Sequence, residues 1–96
     1  MKVILIPEAR KEFFEAVEFY ANESPSAAEH FIDEFENARR EIGLHPDRYR
    51  QVKGKYRVIH LDRFPYSLYY RALGNIVRIN AVAHDKRKPG YWRKRI

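Results

Sequence analysis

The segment FPYSLYYRALGNIVRINAVAHDKRKPGYWRKR, residues 64–95, decides how this chain folds. Two apolar runs, Pro65–Arg71 and Ile76–Ala83, flank a Leu73-Gly74-Asn75 turn, the pattern of a β-hairpin. The second run is the richer in β-branched residues and ends at His84. Upstream, Tyr56–Leu61 reads as another strand, joined through Asp62, Arg63 and Phe64. Asp47–Lys55 is polar and basic and reads as a loop.

The first half has a different period. Lys2–Ile6 is a short strand closed by Pro7. Between Glu8 and Tyr20 the apolar positions Ala9, Phe13, Ala16, Val17 and Tyr20 follow helical spacing, with Glu12, Glu15 and Glu18 on the polar side. Ser24 reads as the N-cap of a second helix with Pro25 in its first position. Ala28, Phe31, Ile32, Phe35, Ala38 and Ile42 line that helix, which Gly43 and Pro46 terminate. The short connection implies a helical hairpin. The predicted order is β-α-α-β-β-β, an α+β domain over residues 1–96 with the hairpin on one face of a small antiparallel sheet.

Alternation assigns the faces. Val77, Ile79, Ala81 and Ala83 are predicted to meet the helices, as are Tyr66, Leu68, Tyr70, Ile59 and Leu61. The other face would be uncovered and present His60, Tyr69, Arg71, Arg78, Asn80 and His84.

Charge is divided along the chain. Residues 1–47 hold five Lys/Arg and eleven Asp/Glu, a net −6; residues 48–96 hold fourteen and two, a net +12. A half this basic attracts polyanions, either nucleic acid or an acidic protein segment. The chain has no cysteine, which excludes disulfides and thiolate metal sites and suits a reducing, cytoplasmic setting. No apolar run is long enough to span a bilayer, and Met1–Ile6 is too short for a signal peptide. His30, His45, His60 and His84 lack metal-ligand spacing, no glycine-rich phosphate loop is present, and no metal or cofactor is implied.

Two helices, then FPYSLYYR, a turn, and IVRINAVAHDKRKPGYW together resemble the RelE/ParE superfamily of bacterial toxins over essentially the whole chain. The resemblance implies the toxin half of a type II toxin–antitoxin module, held by a cognate acidic antitoxin. It also implies one of two actions. RelE-like members are ribosome-dependent mRNA endonucleases; ParE-like members poison DNA gyrase. The lysines and the arginine that RelE-like proteins carry on the two central strands are replaced here by Val58, His60 and Ser67, which favours the ParE-like branch. If the chain is RelE-like, His84, Arg87, Tyr91 and His60 are the catalytic candidates. Arg71, Arg78, Lys86, Lys88, Trp92 and Arg93 are then candidates for binding nucleic acid or another target.

The chemistry behind that set is specific. Metal-free RNA cleavage needs a base, an acid and cations around the phosphate. Histidines titrate near neutrality, arginine forks clamp phosphate and aromatic rings stack bases. Each residue also has a plain alternative. His84 can simply bond the loop that follows it, Trp92 can anchor the tail on the sheet, and Lys86-Arg87-Lys88 can be a solvated charge run. A third reading is a homologue that only binds protein or nucleic acid.

Overall fold

The structure is a computed structural model and describes residues 1–95. The elements are β1 (Lys2–Leu5), α1 (Pro7–Glu23), α2 (Pro25–Leu44), β2 (Arg50–Lys53), β3 (Tyr56–His60), β4 (Tyr66–Leu73) and β5 (Ile76–His84). They build a five-stranded sheet in the order β1-β5-β4-β3-β2 with the α1–α2 hairpin on one face. No helix among the described residues is long and apolar enough to cross a membrane.

Two features differ from the sequence reading. The sheet is mixed, because β1 pairs with β5 in parallel. The segment read as a loop contains β2, paired antiparallel with β3. An edge strand with mostly exposed side chains has no apolar alternation to betray it, and Arg50, Gln51 and Lys53 are the polar residues that edges favour.

The helix starts follow local chemistry. Pro7 and Pro25 occupy first-turn positions, and Ser24 Oγ accepts from the Ala27 amide at 3.0 Å. Gly43 has another role than stopping its helix. It lies inside the last turn, where a Cβ would come within 2.9 Å of the Met1 carbonyl oxygen and 3.0 Å of Val3. The missing side chain lets β1 press against α2, and the Met1 amino group donates to the Gly43 carbonyl at 2.9 Å.

Between the layers, Phe31, Phe35 and Ile42 of α2 and Ala9 and Ala16 of α1 meet Leu68, Tyr70, Val77, Ile79 and Val82. Phe13, Tyr20, Phe64 and Tyr66 extend this core, with Phe13 and Phe35 ring centroids 4.3 Å apart. The buried Tyr70 hydroxyl donates to the Pro46 carbonyl at 2.7 Å.

The principal correction concerns β5. Tyr70 pairs with Ile79 and Tyr69 with Ala81, so Asn80 is an extra residue in the ladder. A one-residue bulge exchanges the faces of everything beyond it. Val77 and Ile79 meet the helices as expected, but Val82 then enters the core, while Ala81 and Ala83 turn to the other face. His84 returns to the helix side, its ring 5.1 Å from that of Tyr66. The other face is not uncovered. Trp92 of the C-terminal tail is buried on it, stacked on Tyr69 at 4.7 Å and edge-on to Tyr56 at 4.9 Å, against Ala81 and Ala83.

Burial, opposed by the nearby Arg57 charge, pushes the Tyr70 phenol up to about 12. An unfolded tyrosine ionises at about pH 10, so the unfolded state releases this proton first. The stabilisation is fully present below about pH 10 and is lost as pH rises toward about 12. Urea unfolding of wild type should therefore lose stability more steeply over that window than Tyr70→Phe, and equal slopes would refute the assignment.

Candidate functional site

Trp92 divides the sheet face opposite the helices into two polar ends. At one end, β3 supplies His60 and β4 supplies Ser67, paired across the strands. His60 Nδ1 lies 2.6 Å from Ser67 Oγ, and Ser67 Oγ donates to Asp85 Oδ1 at 2.6 Å. A hydroxyl has one hydrogen, so Nδ1 carries the proton in the first contact and Nε2 of a neutral His60 is left as a base. Ser67 is fully buried and His60 exposed. A cavity of about 230 Å³ adjoins them and brings His60, His84, Arg87, Lys88, Tyr91 and Trp92 to one place.

The two histidines reach this cavity from different faces of the sheet. The bulge sends His84 to the side of Tyr66, whereas His60 shares the side of Ser67. His84 Nδ1 accepts from the Lys86 amide at 3.1 Å, so this ring does bond the loop that follows it. Ser67 and Asp85 were not among the sequence candidates. They lie 18 residues apart, and only strand pairing and the loop after β5 bring them together.

Glu12 organises the middle of the site. Its side chain is 11% exposed, unlike a solvated helix-face glutamate. Oε1 accepts from the Val82 amide at 3.0 Å and from Arg95 Nη1 at 2.8 Å. Oε2 accepts from the Tyr91 hydroxyl at 2.5 Å and from Arg95 Nη2 at 3.0 Å. Arg87 approaches Oε2 at 3.9 Å and lies 3.8 Å above the Tyr91 ring. Burial, and then the hydrogen bond to Glu12, hold the Tyr91 phenol far above its usual range. Tyr91 is therefore a neutral donor tied to the scaffold.

The other end carries Arg71 and Arg78, directly opposed on β4 and β5. Lys86, Lys88 and Arg93 are exposed on the tail. Arg93 folds over Gly90, whose φ of 75° and lack of Cβ suit that turn. The binding candidates thus split into two clusters, with Trp92 as the packed anchor between them. Among the described residues, no group of three or more His, Cys, Asp or Glu could hold a metal ion.

Glu12→Gln keeps the shape but removes the charge opposite Arg95. We expect a loss of about 2–4 kcal/mol in urea denaturation. We also expect the Tyr91 phenol to ionise at lower pH in alkaline absorbance titration. An unchanged unfolding midpoint would show that the tail is held by Trp92 alone.

Comparison with known proteins bears on this arrangement in three ways. The family model described as the ParE toxin of the type II toxin–antitoxin system, parDE, matches residues 3–89. A search of curated proteins finds no match. Among solved structures, a chain of the chromosomal ParDE toxin–antitoxin system from P. aeruginosa superposes with a TM-score of 0.76 at 15% identity, covering 88% of this chain and 95% of that one. At that identity the superposition shows a shared fold. The match over residues 3–89 shows the family: this chain belongs to the ParE toxins, the toxin components of type II toxin–antitoxin systems.

Proposed function

We propose that this toxin arrests growth in the cytoplasm by trapping DNA gyrase on cleaved DNA, and that a cognate acidic antitoxin silences it. The observation that carries this reading is that the nuclease candidates, although they line one cavity, are mostly engaged in holding the structure. His84 sits on the helix side with Nδ1 engaged, Tyr91 is bound to Glu12, and Trp92 is buried against the sheet. In-line RNA cleavage needs an acid, a base and a stacking ring around one phosphate. A surface that acts by binding another protein needs no free acid, base or stacking ring. The basic half and its exposed tail cations supply the charge that an acidic antitoxin segment would neutralise.

One observation favours a second reading. His60, held by Ser67 and Asp85, faces the same small cavity as Arg87 and Lys88. A base beside two cations supplies two of the three roles that metal-free mRNA cleavage needs, with His84 at the same cavity as the candidate acid.

Purified protein should decide between them. Incubated with gyrase, plasmid and ATP, wild type and His60→Ala should both generate linear DNA after detergent and protease, within about twofold of each other. The same protein should leave mRNA intact in a translation reaction. If instead mRNA is cut and His60→Ala slows cutting by about 100-fold or more, the nuclease reading replaces the gyrase reading.

A further inference from the structure

The arginine pair at the end of the face away from His60 has chemistry of its own. Arg71 and Arg78 stand opposite each other across β4 and β5, a placement in which like charges repel. Neither Arg71 nor Arg78 forms an ion pair among the described residues, as is also true of Arg10, Arg40, Arg50, Arg57 and Arg93, but these two face each other across paired strands. Both are half-buried.

Their surroundings hold them in place without neutralising them. Arg78 Nε donates to Asn80 Oδ1 at 3.0 Å, and its Nη2 lies 3.5 Å from the Tyr56 hydroxyl. Asn80 Nδ2 donates to the same hydroxyl at 3.2 Å. The Arg71 guanidinium lies 5.9 Å from the Tyr56 ring centroid, and its Nε is buried with no hydrogen-bond partner among the described residues. A buried donor on a cation is costly to leave unsatisfied. The Tyr56 oxygen already accepts, so its own hydrogen is left to donate. Two guanidinium forks and a phenol thus converge, and the described residues offer them no anion.

We propose that Arg71, Arg78 and Tyr56 form an oxyanion site for a carboxylate side chain on an acidic peptide segment, that of the antitoxin. The inference rests on the antitoxin partner proposed above. Carboxylate suits the site better than a phosphate backbone. Strand amides here are engaged in the ladder, so no backbone N–H groups form a cradle. Further cations on this face, Lys53 opposite Tyr56 and Arg50 opposite Val58, stand on the exposed β2 edge, so the preference for carboxylate rests on the forks and on what flanks them. The flanks are apolar: Ile4 lies beside Arg78 in register, and Trp92 packs on Tyr56. A segment that alternates acidic and apolar residues satisfies both the forks and the flanks.

Trp92 is the chain's only tryptophan and touches Tyr56, so its fluorescence reads the site. The full chain is titrated with a synthetic peptide of alternating glutamate and leucine, with an oligothymidylate of equal charge, and with inorganic phosphate. We expect saturable peptide binding that weakens about 10- to 100-fold in Arg71→Gln/Arg78→Gln, with oligothymidylate affinity changed less than about threefold. Arg71→Lys, which keeps charge but loses the fork, should recover only part of the affinity. The free double variant should melt at or above the wild-type temperature, because a repulsion is removed, which separates lost binding from lost folding. Equal peptide affinity in wild type and double variant would overturn the site. A loss confined to the oligothymidylate or phosphate arm would reassign it to phosphate.

Co-expression with a candidate acidic antitoxin distinguishes the two levels. Failure of wild type to be captured sinks the antitoxin reading, whatever the peptide shows. Equal capture of wild type and double variant sinks only the site.

Discussion

One extra residue in β5 governs the molecule. The register steps from Tyr70 opposite Ile79 to Tyr69 opposite Ala81, which makes Asn80 the extra residue, and every side chain beyond it changes face. Val82 takes the place in the core that alternation would have given Ala81. Two alanines arrive together on the opposite face, and their small side chains leave room for an indole ring. Trp92 fills it. Beyond Leu5, β1 no longer pairs with this part of β5, and the Val82 amide is satisfied by Glu12 instead. Arg95 covers the neighbouring Asn80 carbonyl at 3.1 Å. A stretch of sheet edge is thus closed by side chains from a helix and from the tail, one of the ways in which exposed edges are kept from pairing with other chains.

The same arrangement reconciles the two electrostatic halves. The acidic half supplies the helices and the basic half supplies most of the sheet and the tail. They meet at Glu12, where Arg95 and the more distant Arg87 face a single carboxylate beside Tyr91. This pair is largely shielded from water, where a missing partner costs far more than at the surface. The acids elsewhere on the helices pair with Arg39, Arg48 and Arg63 or face solvent. The cations on the sheet end and on the tail keep their charge for a partner.

Two clusters on one face support different chemistry. His60, Ser67 and Asp85 can hold a proton at a stated nitrogen, whereas Arg71, Arg78 and Tyr56 can only donate. Family membership identifies a toxin component without choosing between these clusters. A shared fold carries no site chemistry of its own, so each cluster has to be read from its own donors and acceptors.

The helical hairpin, the Ser24 cap, the three longer strands and the division of charge were legible in the sequence, because each depends on residues near one another in the chain. Family resemblance was legible for the same reason, since its motifs are contiguous. What the chain could not disclose by itself depends on contacts across long separations. The β2 edge lacks an apolar period and exists through pairing with β3. The Asn80 bulge leaves no mark in the spacing of Val77, Ile79, Ala81 and Ala83 and exists through its register against β4. Glu12 looks like any exposed helix glutamate until a tail 83 residues later reaches it. Local preference determined the elements; the burial of Trp92 and the pairing of β4 with β5 decided which side chains meet.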